Sequence, residues 1–225
     1  MNTRTSRMSA LLTFALLSVP GALHASAENK EPPPPDAKSV ISGTDARRDA
    51  VMRLQLSKPY PPDGCSRYQD FALAAYWLNE RTAESDQAIL TEREKEYSES
   101  LKKGDFHWNA YILERIYFLF GHASKHFPGR MSTAAEAALL DMLWQWAEPN
   151  CRLEMTLQER DGWRWGSENH HAQAWSSFWG AAQIFAQHSE YKNRRYADGT
   201  TPAQMAVAFN EYYKRFARTD VCAFS

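Results

Sequence analysis

The chain has 225 residues, with 26 Lys and Arg against 27 Asp and Glu and a formal net charge of −1. That balance excludes the strongly basic footprint of a nucleic-acid binder, so no nucleic-acid partner is expected. Hydrophobic residues make up 44%, charged residues 24% and aromatics 13%, which excludes the disordered and fibrous classes and is enough for one sizeable core.

In chain order, Arg4 and Arg7 form a positive start and Met8 to Val19 a short apolar run. Pro20 and Gly21 break that run, and Ala25-Ser26-Ala27 offers small residues for cleavage. Residues 1–27 therefore read as a secretory signal peptide, and a periplasmic or secreted location is expected. The run is shorter than the ~20 apolar residues of a membrane span and no later segment comes near that length, so no transmembrane segment is expected after cleavage. Cleavage would remove two Arg and no acid, leaving 24 basic against 27 acidic residues and a net charge of −3. An anionic ligand would then need locally placed donors. In an oxidising compartment two of Cys65, Cys151 and Cys222 can pair, and spacing does not say which.

Residues 28–64 read as a Pro-rich linker, with Pro32 to Pro35 consecutive and a turn around Pro59, Pro61 and Pro62; within it, 45–56 can form a short helix. From residue 65 the apolar period becomes helical. Phe71, Ala74, Ala75 and Leu78 predict a helix over 67–80, a more polar one follows over 84–102, and 108–123 is the most apolar of all. Thr133 with Glu136 reads as a capping box opening a helix that stops at Glu148-Pro149-Asn150. Ser167 is the expected cap of a helix through Trp175, Phe178 and Phe185 to about residue 187. Thr201-Pro202 opens the last one, carried by Met205, Phe209, Tyr212 and Phe216. No stretch alternates as a strand does. The expected fold of residues 65–225 is all-α, built of antiparallel helical hairpins, and the cadence fits either an α-solenoid or an α/α toroid.

The densest unusual stretch is Asp161-Gly162-Trp163-Arg164-Trp165-Gly166-Ser167-Glu168-Asn169-His170-His171. It leads two tryptophans and an arginine into the positive end of a helix, then sets a carboxylate, an amide and two imidazoles within one turn. Six of the eight tryptophans fall between Trp144 and Trp179, and flat aromatic faces suit pyranose rings. Trp144, Trp175 and Trp179 are expected in the core. Trp163, Arg164, Trp165 and Glu168 are candidate substrate-binding residues, and Asn169, His170 and His171 candidate catalytic ones. An amide and an imidazole aimed at a uronate carboxylate stabilise the charge that develops when the neighbouring carbon loses its proton, and His171 is a candidate base. Residues adjacent on a helix differ by ~100° in direction, so His170 and His171 are not expected to aim at one atom.

The run Gly166-Ser167-Glu168-Asn169-His170 in a tryptophan-rich, exported, all-α chain resembles the Asn-His element of the α/α-toroid polysaccharide lyases, the alginate-lyase and heparinase-like group. The resemblance covers roughly residues 108–216. It implies a partial α/α toroid, an acidic polysaccharide or oligosaccharide as partner, cleavage by β-elimination, and Asn169 and His170 as the groups that neutralise the sugar carboxylate. In that family a Tyr or second His moves the proton, and no tyrosine here matches a family motif. The family's chain continues past the helix that ends near Arg218, so this chain reads as a truncated copy with helix faces open to self-association.

Two other readings stay open: a non-catalytic carbohydrate-binding or helical interaction module with Trp163 and Trp165 as platform, and an inverting glycoside hydrolase using Asp161 and Glu168 about 6.5 to 9.5 Å apart. Glu168 and His171 have a metal-binding spacing, but no second helix supplies matching ligands, so neither metal nor cofactor is expected. His122 and His126, four apart near a helix end, read as structural. The basic run from Lys192 to Arg195 reads as a solvated loop.

Overall fold

The computed structural model describes residues 37–57, 68–96, 106–157 and 168–220. Seven α-helices account for most of them: α1 (Ala37–Leu56), α2 (Tyr68–Leu78), α3 (Thr82–Glu96), α4 (His107–Phe120), α5 (Thr133–Asn150), α6 (Glu168–Gln187) and α7 (Pro202–Asp220). A 3₁₀ turn, Leu153–Thr156, follows α5, and no strand occurs among the described residues. The all-α class expected from the sequence is the class observed.

Five of the expected helices start and stop close to where periodicity and caps put them, and each difference has a local cause. The hydroxyl that caps α5 belongs to Ser132, whose extended backbone lets its Oγ accept from Ala135 N at 3.2 Å. Thr133 is thereby the first helical residue. Glu136 then turns away from its own helix end, and Oε2 accepts from the His122 amide at 2.8 Å and lies 2.6 Å from His122 Nδ1. At α7 the expected cap is reciprocal: Thr201 Oγ1 accepts from Gln204 N, and Gln204 Oε1 accepts from Thr201 N at 2.9 Å. The helix expected over 84–102 is observed as Thr82–Glu96, and residues 97–105 lie outside the described ones. α1 is longer than the short helix expected over 45–56. Few apolar positions mark it, yet Leu56 and Met52 pack with Phe71, Ala74, Ala75 and Leu78 of α2, and polar contacts add to this: Trp77 Nε1 donates to Asp49 at 3.1 Å, and Arg53 pairs with Glu80, just past α2, at 3.0 Å.

The contacts between helices define two rows. α4 lies between α2 and α6, while α3 packs on α5. Tyr76 and Phe120, near the ends of α2 and α4, bring their rings to 5.5 Å, and His107 and His170, at the starts of α4 and α6, to 5.1 Å. α2, α4 and α6 therefore run parallel and begin at the same end of the molecule. Asp86 with Ser132 and Arg93 with Asp141 show that α3 and α5 are parallel too. The core sits between the rows: Trp146 of α5 stacks on Phe178 of α6 at 4.3 Å, and Trp144 meets Phe185 edge-on at 5.1 Å. Trp144 and Trp175 are buried, as expected, and Trp179 is partly buried against Tyr213.

One cation closes a helix end from far along the chain. α2 finishes at Asn79, with φ of 55°, and Glu80 N reaches back to Ala75 O at 3.0 Å. Arg130 Nη1 then donates to Tyr76 O and Trp77 O, both at 2.7 Å, while its guanidinium lies 4.1 Å over the Phe127 ring. Arg130→Ala is expected to cost about 1.5 to 3 kcal/mol in urea unfolding, because charged donors are withdrawn from two carbonyls at once. Arg130→Lys should recover only part of it, since an ammonium lacks the flat face that covers Phe127.

Cys151, the described member of the three cysteines, is a free thiol and fully buried; Cys65 and Cys222 lie outside the described residues. Burial first, and the charge of Asp198 second, push the thiol well above its ordinary range. Among the described residues no helix is long and apolar enough to cross a membrane.

Candidate functional site

The end at which α2, α4 and α6 begin is where the sequence placed its chemistry. The stretch that carries Asp161, Trp163, Arg164 and Trp165 lies outside the described residues. Glu168 and Asn169 open α6, and their side chains also lie outside what is described. His170 and His171 are placed, and they diverge as a helix requires.

His170 turns toward α4. Its ring meets Trp108 edge to face at 4.9 Å and His107 at 5.1 Å, and His107 and Trp108 are themselves 5.1 Å apart. His107 is fully buried and His170 half-buried, so the three rings form a wedge with one imidazole inside and one at the rim. His171 turns the other way. It stacks on Trp175, one helical turn later, at 4.0 Å, and its Nε2 lies 3.5 Å from the Tyr212 hydroxyl of α7. Tyr212 meets Tyr213 edge-on at 5.3 Å, and Tyr213 lies against Trp179 at 4.9 Å.

Sequence reasoning missed His107, Trp108 and Tyr212. The first two open α4, a helix whose apolar period points to burial and nothing more. Tyr212 was read as core, which it also is. Chemically the cluster offers imidazoles, a phenol within reach of one of them, and the positive ends of parallel helices.

A second polar feature lies deeper. Glu114, in the middle of α4, is 7% exposed, and a buried oxygen of its carboxyl, Oε1, has no hydrogen-bond partner among the described residues. Burial drives this carboxyl well above the carboxylate range, against the smaller opposing effects of the Ala181 amide and the Arg115 charge. The hydroxyls of Tyr196 and Tyr213 are buried and also lack partners. Burial raises both phenols, and the charge of Glu114 is among the lesser causes for each.

His122, read as structural, bridges Glu136 and Thr133, with Nε2 3.4 Å from Thr133 Oγ1. His126 is exposed. In the basic run, Arg194 lies 4.2 Å over the Tyr191 ring and Arg195 donates to Gly199 O at 2.7 Å, so two of its cations are engaged with the protein. Among the described residues no three His, Cys, Asp or Glu side chains are grouped as a metal site would need. The chain matches no known family model, no curated protein and no solved structure.

Proposed function

We propose that the chain is an exported carbohydrate-active protein that engages an acidic polysaccharide where α4 and α6 begin and cleaves it by β-elimination. The observation that carries this reading is the division of labour in the first turn of α6: His170 sits at the rim beside Trp108, and His171 pairs with Tyr212. Asn169 and His170 would hold the uronate carboxylate, with Trp163, Arg164, Trp165 and Glu168 contacting the sugar chain. His171 and Tyr212 would move the proton. The C5 proton passes to this pair, its electrons form the C4–C5 double bond, the C4–O bond breaks, and the departing oxygen takes up a proton. The parallel rows α2–α4–α6 and α3–α5 support the architecture that goes with it, an arc of an α/α toroid. Self-association belongs to the same reading, and Val51 and Leu54, exposed a turn apart on α1, are apolar groups it would cover.

Incubation of the exported chain with alginate, heparin-like and pectic polymers should give the ultraviolet absorbance of unsaturated ends with at least one of them. His170→Ala and Tyr212→Phe should each lower turnover by about 10² or more, the scale of one lost acid–base or oxyanion group. A folded chain that yields no absorbance with any polymer defeats elimination. One specific observation favours a binding module as the second reading: His171 is held by its stack on Trp175. Polymer binding that survives in the absence of product would select that module.

A further inference from the structure

Glu114 interrupts the apolar helix α4, on the side where it packs against α6. What α6 presents to it is Gly180. A methyl group there would come to 2.8 Å from Cδ and 3.3 Å from Oε1 of Glu114, so the carboxyl occupies the notch that the missing Cβ of Gly180 leaves. The groups facing it can be named element by element. From α6 comes the amide of Ala181, and from α4 itself the charge of the exposed Arg115. From α7 comes Tyr213, and from the connection between α6 and α7 comes Tyr196, with Cys151 and Asp198 behind it.

Among the described residues no cation pairs with the Glu114 carboxyl. A carboxylate so placed would be a buried charge served by one backbone donor, which is costly. A neutral acid in the same place both donates and accepts, as do the two phenols whose hydroxyls also lack partners. The arrangement suits the protonated form.

We propose that Glu114 and the Gly180 notch form a proton-dependent lock between α4 and α6, closed while the carboxyl keeps its proton and opened when the proton leaves. Ionisation draws the side chain toward water, and the two helices must part to let it go. The same pair of helices carries His107, Trp108 and His170 about two turns away from Glu114, so the aromatic–imidazole cluster loosens with the lock. The lock stands on packing alone and does not depend on what the cluster binds.

The sign follows from linkage. A carboxyl held neutral in the fold and ionised in the unfolded chain contributes stability that is complete below the ordinary carboxylate value and disappears as pH rises through the raised folded value.

The test uses the exported chain and Glu114→Gln, followed by difference infrared spectroscopy and amide exchange from mildly acidic to alkaline pH. At neutral pH the wild-type minus variant spectrum should show the carbonyl band of a protonated carboxyl. Exchange in α4 and α6, corrected for its intrinsic base dependence, should rise by up to about tenfold per pH unit between the ordinary carboxylate range and the raised folded value, level off above it, and return on reacidification. Glu114→Gln should remove this rise. A missing band, or a rise unchanged in Glu114→Gln, overturns the proposal. If that variant does not fold, the wild-type infrared titration decides alone: a carboxyl band persisting well above the range of exposed acids supports the lock, and its absence refutes it.

Discussion

Gly180→Ala should destabilise the protein by about 1 to 3 kcal/mol, the usual range for forcing an extra methyl into a packed interior. The same substitution should stabilise a Glu114→Ala background. Ala exceeds Gly in a helix interior by about 1 kcal/mol, so without an obstacle the change would help α6. The obstacle is one side chain, because the new Cβ meets Cδ of Glu114 at 2.8 Å and the buried carboxyl has to give way. Removing the carboxyl opens the space a methyl needs. Urea midpoints for the wild type, the two single variants and the double variant close the cycle, with an expected coupling of about 2 to 4 kcal/mol and unchanged slopes. Additive effects would mean that the notch is not what keeps position 180 a glycine.

That cycle also marks what the sequence made legible. α5, α6 and α7 were readable from their apolar period together with start and stop signals: Pro149 and Asn150 at the end of α5 and Thr201-Pro202 at the start of α7, while the α5 cap is Ser132 rather than Thr133 and Ser167, the expected cap of α6, lies outside the described residues. The divergence of His170 and His171 was readable for the same reason, since 100° per residue is a property of the helix alone. What they meet was not. Tyr212 lies 41 residues from His171, and His107 belongs to a helix whose period announced only burial. Glu114 and Gly180 each stand out locally, as a charge in an apolar run and a glycine inside a helix. Only the parallel packing of α4 on α6 makes them complementary. α1 was underestimated because few apolar residues, among them Met52 and Leu56, join it to α2, and the rest of its docking runs through polar residues such as Asp49 and Arg53 that leave no periodic trace.

Trp146→Ala should be the most damaging single truncation in the core, at about 3 to 5 kcal/mol. The indole is fully buried, stacked on Phe178 at 4.3 Å and 7°, and tilted against Phe106 at 6.2 Å. Against a typical domain stability of about 5 to 15 kcal/mol, that loss leaves a large unfolded fraction near physiological temperature. Trp146→Phe should cost much less, about 1 kcal/mol, because two effects oppose. The smaller ring gives up contact area, but it also removes Nε1–H, a buried donor with no acceptor among the described residues. Phe106 immediately precedes His107, and Phe178 lies about two turns beyond His170, so Trp146 braces both sides of the wedge from below. A loss for Trp146→Phe close to that for Trp146→Ala would show that removing the unpaired donor brings no compensating gain and that a smaller ring does not restore the packing.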